Sequence, residues 1–395
     1  MLKIIHCADI HAGRPAVREL DAEKASLRRR EIEASLSRIV DLTRRERAGL
    51  LLIAGDLFEH LYVRPSWVRE ASALFASIPD TRVFIAPGNH DPVVRGSLYR
   101  SIELPGNVTV FDSPKVTGVN VEGVPALVHG FGWTSFQERQ QALSGYVTDR
   151  PDLVNILLIH GDVSRREDGQ SSQYLPILLP DLAKSGMDYA ALGHIHVPGE
   201  FRAGPTTAAY AGCPEPLDFG DEGERGVFLV TIGEKDASSG MRAAVDTEFI
   251  PIAARQVRKA EVDVTGLDTP ERVRNAIVNC GDRETRRRDM WTVFLTGMAD
   301  PELHLDLEVI EREAGQEFFF LKLKPAYRPA YDLKSLGDPR RDTLEARFVR
   351  EMQALLEGAG KAGDERAAAV AENALYYGLD ALRQGKVFLR KGGSI

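Results

Sequence analysis

The feature that most constrains the fold of this chain is a repeated pattern in which a short apolar run ends in a polar turn. Five such runs predict buried β-strands, at residues 2–7, 50–54, 83–86, 154–159 and 189–192. Residues 23–47, between the first two runs, carry apolar side chains at helical spacing. Further short runs at 124–129, 208–211 and 227–231 predict additional strands. Because strands here alternate with helices, we expect an α/β sandwich of two stacked sheets.

The character of the chain changes near residue 251, where a second region begins. A strand at 258–264 precedes a helix with Thr269 as N-cap and Pro270 at its first position, and strands at 291–295 and 318–323 flank another helix. These elements predict a small α+β domain, followed by two C-terminal helices joined through the glycine-rich residues 358–363. We therefore expect domains at 1–253, 254–338 and 339–395. The first C-terminal helix carries an apolar stripe: Leu344, Phe348, Met352, Leu355 and Leu356.

The turns that follow the five main strands hold the residues that carry chemistry. The carboxyl ends of strands in α/β sheets meet at one edge, so we expect these side chains to lie together. Carboxylate, amide oxygen and imidazole ligands suit intermediate divalent ions such as Mn²⁺, Fe²⁺ or Zn²⁺. Seven ligands are more than one four-coordinate ion can bind, whereas two ions about 3.5–4 Å apart can share a carboxylate. The candidate ligands are Asp9, His11, Asp56, Asn89, His160, His194 and His196.

Composition limits the alternatives without naming a substrate. The net charge is −8, which does not indicate a nucleic-acid-binding protein, although a local basic patch remains compatible with it. Three scattered cysteines form neither a metal-binding pair nor a disulfide framework. The N-terminus lacks the layout of a signal peptide, and no apolar run reaches the ~20 residues that span a bilayer. We expect a cytoplasmic protein without a membrane segment.

The order of the motifs, DxH, GD, GNHD, H and GHxH, resembles that of the calcineurin-like metallophosphoesterases. Within that superfamily the chain is similar to the SbcD-type DNA repair nucleases, and more narrowly to the YhaO-type DNA repair exonuclease group. The phosphoesterase motifs cover residues 2–196, and the closer likeness continues through residues 211–226, which include Pro-Glu-Pro-Leu-Asp-Phe-Gly. The resemblance implies a metallophosphoesterase sandwich followed by a capping domain and helices.

The resemblance also implies a division of the metal ligands. Asp9, His11 and His196 would hold one metal ion, and Asp56 would bridge to the second. Asn89, His160 and His194 would hold that second ion. The two ions are expected to be Mn²⁺, with Fe²⁺ or Zn²⁺ as alternatives.

His90 is implied to be a catalyst rather than a ligand. It would face the scissile phosphate and stabilise developing charge or protonate the leaving oxygen. Glu59 stands where the family commonly has Asp or His, and it would orient His90; a shift of one residue would give that role to His60. Asp91 is the last residue of the GNHD motif and follows its candidate ligand and catalyst; orienting a ligand and capping a turn are equally expected functions for it.

The function implied is metal-dependent hydrolysis of DNA phosphodiesters in double-strand-break repair or end processing. The alternatives are a small-molecule phosphodiesterase or phosphatase with the same site, and a scaffold with an inactive site. DNA is the expected partner, together with a second copy of the chain. The C-terminal helices would bind an SbcC-type coiled-coil ATPase or pack on their own domain. The basic cluster at residues 283–288 would contact DNA or form a solvated loop, the latter being favoured.

Overall fold

A computed structural model describes residues 1–164, 174–235, 242–301, 303 and 305–384. The chain divides into two compact units, Met1–Gln256 and a second unit that begins at Val257. The helices of the first unit are α1 (Ala22–Glu46), α2 (Pro65–Ala76), α3 (Leu98–Ser101) and α4 (Leu179–Lys184). Its strands are β1 (Leu2–Cys7), β2 (Leu50–Ile53), β3 (Arg82–Ile85), β4 (Val108–Val110), β5 (Thr117–Asn120), β6 (Ala126–Gly130), β7 (Val154–His160), β8 (Asp162–Ser164), β9 (Pro176–Leu178), β10 (Tyr189–Gly193), β11 (Gly199–Ala203), β12 (Thr206–Tyr210), β13 (Gly226–Ile232) and β14 (Val245–Pro251).

Two six-stranded sheets form the first unit, which confirms the predicted sandwich. The first sheet has the order β14-β13-β1-β2-β3-β4, and its strands from β1 to β4 are parallel. The second has the order β11-β12-β10-β7-β6-β5, with β12, β10, β7 and β6 parallel. In both sheets the central parallel strands therefore end at one edge, from which the predicted site residues follow.

Alternate side chains of the central strands are buried on opposite faces, which is why these strands are apolar throughout. On one face of the first sheet, Ile5 packs in a core with Leu36 of α1 and Trp67 of α2. On the other face, Ile4 packs in a second core with Ile156 of the facing sheet. A third core lies on the outer face of the second sheet, against α4.

The predicted bounds of β1 are confirmed, and those of α1 differ by one residue at each end.

The second unit contains a three-stranded parallel sheet and flanking helices. Its sheet has the order β15 (Val257–Asp263), β16 (Met290–Thr296) and β18 (Phe320–Pro325), and Thr269 caps α5 (Pro270–Val278) with Pro270 at the first position, as predicted. The strands are β15 (Val257–Asp263), β16 (Met290–Thr296), β17 (Met298–Ala299), β18 (Phe320–Pro325) and β19 (Arg328–Pro329). The helices are α5 (Pro270–Val278), α6 (Arg283–Arg288), α7 (Leu307–Ala314), α8 (Leu333–Leu336), α9 (Leu344–Ala362) and α10 (Glu365–Gln384).

The basic cluster forms α6, so the prediction of a loop at this position was wrong. Asp282 caps the helix by accepting a hydrogen bond from the Thr285 amide. The Arg288 guanidinium lies 2.8 Å from Asp289, and that of Arg287 lies 3.4 Å from Glu317. A capping aspartate and intramolecular ion pairs explain why a run of arginines is helical here.

The predicted glycine-rich connection between the C-terminal helices was also wrong. Helix α9 continues to Ala362, and Gly363 ends it in the left-handed conformation with φ of 67°. Glycine costs only about 1 kcal/mol inside a helix, and the packing of α9 on α10 compensates for it. Phe348 and Met352 contact a core that includes Leu375 of α10. The apolar stripe is thus partly used within its own unit.

The binding of a partner ATPase by the C-terminal helices stays a prediction. The division into three domains and the role of residues 254–338 as a cap likewise stay predictions, and residues 385–395 of the last predicted domain lie outside the described residues. Among the helices that the structure describes, none is long and apolar enough to cross a membrane.

Candidate metal centre

The loops that follow β1 and β2 are joined by backbone hydrogen bonds at the sheet edge. The Asp9 amide donates to the Gly55 carbonyl at 3.0 Å, and the His11 amide donates to the Asp56 carbonyl at 2.8 Å. Asp9, His11 and Asp56 each have φ of 52°, and His194 has φ of 101°. Left-handed backbone at residues other than glycine costs about 1–3 kcal/mol each and is typical of functional sites. The surrounding hydrogen bonds therefore hold a strained geometry that brings these side chains together.

Two glycines leave the space that the polar side chains occupy. A Cβ atom at Gly88 would lie 2.3 Å from Asp56 Oδ1, closer than real Cβ contacts allow. A Cβ atom at Gly55, which has φ of +85°, would lie 2.4 Å from His160 Nδ1. Glycine at these two positions therefore allows the backbone and the polar side chains to approach closely.

The first group of candidate ligands comprises Asp9, His11 and His196, whose ligand atoms lie within 4.8 Å of one another. His11 Nδ1 is hydrogen-bonded to Glu59 Oε1 at 2.9 Å, so its Nε2 atom faces inward. That buried nitrogen lies 3.9 Å from Asp9 Oδ1 and 3.6 Å from Asp56 Oδ2, without a hydrogen-bond partner. A cation bound between these atoms would satisfy the buried nitrogen, which otherwise carries the cost of an unmade hydrogen bond.

The second predicted group comprises Asn89, His160 and His194. His160 Nδ1 donates a hydrogen bond to the Ala54 carbonyl at 2.9 Å, so Nε2 is the ring nitrogen directed into the site. This Nε2 atom lies 3.1 Å from Asn89 Oδ1. The His194 ring lies 5.3 Å from that of His160, and its amide donates to the Asp9 carboxylate at 3.1 Å. The donor set is again imidazole nitrogen and uncharged or anionic oxygen, which fits a divalent ion.

Asp56 lies between the two groups. Its Oδ2 atom is 3.6 Å from His11 Nε2 and 3.2 Å from His160 Nε2, and its Oδ1 atom accepts a hydrogen bond from the His90 amide at 2.9 Å. One carboxylate oxygen therefore faces both groups. The structure brings all seven predicted ligands to one place, and their assignment to two ions stays a prediction.

The electrostatics of this cluster favour bound positive charge. Burial raises the pKa of Asp9, and the charge of Asp56 raises it further, although nearby imidazoles oppose this. Burial also opposes ionisation of Asp56, but His160 and the other imidazoles outweigh it and hold the pKa of Asp56 below its usual range. For His160, burial lowers the pKa, whereas Asp56 outweighs burial and raises it to about 9. Two neighbouring buried carboxylates need compensating charge, which metal ions supply.

Glu59 connects the candidate catalyst to the first group. Its Oε2 atom lies 2.8 Å from His90 Nδ1, while Oε1 contacts His11. Burial opposes ionisation of Glu59, but hydrogen bonds from both imidazoles lower its pKa to about 2. The hydrogen bond to Glu59 in turn raises the pKa of His90. The ring of His60 packs against Phe136 with centroids 5.7 Å apart, and the Glu59 carboxylate rather than the His60 side chain contacts the His90 ring.

Asp91 supports the site more extensively than the sequence indicated. Its buried carboxylate accepts hydrogen bonds from the amides of Asp56 at 3.1 Å, Leu57 at 2.8 Å and Gly88 at 2.6 Å, and from the Tyr99 hydroxyl at 2.6 Å. Burial and the Asp56 charge raise the pKa of Asp91 to about 6 against these hydrogen bonds. Asp91 thus joins the loop that carries Asp56 to the loop that carries Asn89.

We expect Asp91→Ala to lower the free energy of unfolding by about 3 kcal/mol or more, because it leaves three amides and one hydroxyl without their acceptor. Urea denaturation of the full chain measures this change. Asp80→Ala, at an exposed turn, is the matched control and should change the free energy by less than about 0.5 kcal/mol. Equal stability of the two variants would contradict this assignment of Asp91.

Residues 211–226 support His196, a function that sequence reasoning missed. Arg225 Nη1 and the Cys213 amide donate to the His196 carbonyl at 2.9 and 3.2 Å. Asp221 Oδ1 lies 3.8 Å from His196 Nδ1. The stretch is attached to α1 through Glu215, which lies 3.0 Å from the Arg28 guanidinium. The only signal in the sequence was the likeness of this stretch to the nuclease group.

A two-sheet α/β sandwich that gathers buried carboxylates, an amide and imidazoles at its strand ends is a metallophosphoesterase-type protein. Residues 2–198 match the calcineurin-like phosphoesterase family, and the chain belongs to that family through this domain. The family predicted from the order of the motifs is therefore confirmed. The family acts on phosphoesters with divalent metals, and the described residues contain candidate metal-binding clusters.

Three relatives extend the likeness. The chain is 30% identical over 279 residues to the metallophosphoesterase YhaO of Bacillus subtilis (strain 168), an alignment that covers 67% of this chain and 64% of that protein. It is 26% identical over 360 residues to the DNA double-strand break repair protein Mre11 of Methanopyrus kandleri, covering 83% and 71%. The protein of the same name from Aeropyrum pernix is 29% identical over 243 residues, covering 55% and 54%. The chain thus spans just under two thirds of the Bacillus protein.

Proposed function

We propose that this chain is a dinuclear-metal-dependent DNA nuclease that hydrolyses phosphodiester bonds in double-strand-break repair or end processing. The observation that carries the two-metal part is the position of Asp56, whose Oδ2 atom faces His11 Nε2 at 3.6 Å and His160 Nε2 at 3.2 Å. An oxygen shared in this way is what a pair of neighbouring ions requires. An inactive scaffold is disfavoured because every candidate ligand is present and grouped.

The ligands would divide into two groups as the family resemblance implies, with Asp56 shared. Asp9, His11 and His196 would hold one ion, and Asn89, His160 and His194 the other. We propose Mn²⁺, with Fe²⁺ or Zn²⁺ as alternatives. When bound, two such ions would neutralise the phosphate and make water a stronger nucleophile.

His90 would act on the departing group. Its Nδ1 atom is held by Glu59 at 2.8 Å, so the opposite ring nitrogen is directed away from Glu59, and the side chain is 40% exposed. From there it would stabilise the charge that develops on the phosphoryl group or donate a proton to the leaving oxygen. The same carboxylate holds His11, so Glu59 would fix the catalyst relative to a ligand of the first ion.

The choice of DNA rather than a small phosphoester is supported by the relatives. Two of them are named as DNA double-strand break repair proteins, and the alignment with the Methanopyrus kandleri protein covers 83% of this chain, more than the phosphoesterase domain at 2–198. The region after the phosphoesterase domain therefore belongs to the likeness. We propose that it shapes access of DNA and that the C-terminal helices bind an SbcC-type ATPase or a second copy.

Incubation of the full chain with linear duplex and single-stranded DNA in Mn²⁺, beside a panel of small phosphate mono- and diesters, tests the proposal. We expect DNA to be cut and EDTA to abolish cutting, because the carboxylate and imidazole cluster needs its cations. Fe²⁺ and Zn²⁺ are compared under the same conditions, with exclusion of oxygen for Fe²⁺. Rapid turnover of a small ester with DNA left intact would favour the small-molecule phosphodiesterase instead.

A further inference from the structure

Large exposed apolar side chains of the first unit concentrate around the candidate metal centre. Leu61 and Tyr62 follow Glu59 closely in the chain and are 76% and 61% exposed. Ile195 and Val197 adjoin the candidate ligands His194 and His196 and are exposed as well. Exposed apolar side chains grouped beside a polar site are typical of a binding surface.

One aromatic ring of this surface contacts a candidate ligand, and a second contacts a residue that is bonded to the candidate catalyst through its backbone. The Tyr174 ring lies 4.9 Å from the His194 ring at an interplanar angle of 35°, and it is 41% exposed. The Phe136 ring lies 5.7 Å from the His60 ring and is 47% exposed. The His60 amide donates to the His90 carbonyl at 2.9 Å, so Phe136 packs on a residue whose backbone is bonded to that of the candidate catalyst.

The two rings are carried by segments that are hydrogen-bonded to each other. The Leu175 amide donates to the Glu138 carbonyl at 2.6 Å, and Glu138 and Tyr174 form a parallel β-bridge. Ser135 further fixes the turn that carries Phe136, because its hydroxyl donates to the Gln137 carbonyl at 2.5 Å. The backbone that carries the two rings is therefore ordered before any ligand binds, which reduces the entropy that binding would cost.

We propose that Phe136 and Tyr174 form a stacking site for unpaired nucleobases next to the scissile phosphate. This inference rests on the proposed function, and it specifies the substrate as single-stranded or frayed DNA. A nucleotide links one flat aromatic base to each phosphate through a single sugar, so rings beside the phosphate site lie where bases arrive. Bases in an intact duplex are stacked on one another, whereas an unpaired base is free to stack on protein rings.

Stacking on aromatic side chains is worth about 1–3 kcal/mol per base and tolerates any base, since every base has a π-face. It supplies affinity that does not depend on positive charge. This is relevant in a chain of net charge −8, in which acidic residues outnumber the lysines and arginines that could contact phosphates. The base and the phosphate would thus be held by different groups, aromatic rings and metal ions.

Two labelled single-stranded oligonucleotides, identical except for one abasic residue, test the stacking site in Mn²⁺. Cleavage is measured at the phosphates that flank the altered position. We expect the full chain to cut these phosphates at least about 5-fold more slowly in the abasic strand. The double variant Phe136→Ala, Tyr174→Ala should slow cutting of the intact strand to the abasic rate and remove the difference. The double variant Phe136→Trp, Tyr174→Phe keeps two aromatic rings and should retain the difference in rate between the intact and abasic strands.

Val147→Ala is the matched control, because Val147 is 60% exposed but contributes to none of the contacts above. It should retain the discrimination between the two strands, and thermal melting should show that every variant is folded. Equal rates on intact and abasic strands for the unmodified chain would overturn the stacking site while leaving the nuclease in place, and would favour a protein partner for this surface. Absence of cutting of either strand would instead overturn the proposed function.

Discussion

Asp56→Asn is expected to lower phosphodiester turnover by about 10³-fold or more, because charge stabilisation by a metal pair contributes several kcal/mol. The substitution replaces the charged carboxylate, whose Oδ2 atom faces both groups of ligands, with an uncharged amide. Asn can still accept the hydrogen bond that the His90 amide makes to Asp56 at 2.9 Å, so the loop should keep its conformation. Loss of activity would then reflect loss of metal rather than loss of fold.

Metal content measures this directly. After loading with Mn²⁺ and removal of free ion, the full chain should retain about two ions and the Asp56→Asn variant fewer, by elemental analysis. Turnover of a chromogenic phosphodiester is followed in the same samples. Asp41→Asn, at an exposed position on α1, is the matched control and should retain metal and turnover. A variant at Asp56 that kept both ions and full turnover would exclude a bridging role.

His90→Ala should separate catalysis from metal binding. We expect turnover to fall by about 10²–10⁴-fold, the usual contribution of a positioned acid or base, with metal content unchanged. The reason is geometric: the His90 ring contacts Glu59 through Nδ1 and its backbone amide contacts Asp56, whereas its side chain belongs to neither group of candidate ligands. Steady-state kinetics on the chromogenic diester and on DNA, together with elemental analysis, test the expectation.

Glu59→Ala provides the contrast, because Glu59 contacts both His90 and His11. It should lower turnover and also weaken metal binding, by about 10- to 100-fold as is usual when the support of a ligand is removed. Glu70→Ala, at an exposed position of α2, should leave both unchanged. If His90→Ala lost metal as completely as Asp56→Asn, His90 would have to be regarded as a ligand.

Much of the architecture follows from local pattern. The central strands are apolar on both faces, and the spacing of Thr269 and Pro270 determines where α5 begins, so both were predicted from residues alone. The errors arose where local composition competed with packing. Gly358 and Gly360 predicted a break, but α9 runs past them because it packs along α10.

The support of the site was less accessible to prediction. Asp91 follows His90 in a recognisable motif, yet its four donors come from three separate segments that only the sheet brings together. Asp221 and Arg225 reach His196 from a loop whose course no periodicity describes. Nothing in the sequence distinguishes Phe136 and Tyr174 from other aromatic residues, and only a β-bridge in the folded chain places their segments side by side.

The sequence by itself determined which chemical groups are available and in which order they follow the strands, since side-chain identity and strand periodicity are local properties. The turns after five apolar strands specify the two carboxylates, the amide and the four imidazoles of the candidate ligand set. The motif resemblance already implied a bridging Asp56 and left Glu59 and His60 as alternatives beside His90; only the tertiary structure shows Asp56 Oδ2 facing both groups and the Glu59 carboxylate on the His90 ring. Distances between residues far apart in the chain depend on how the two sheets pack, and that packing is decided by the whole core at once.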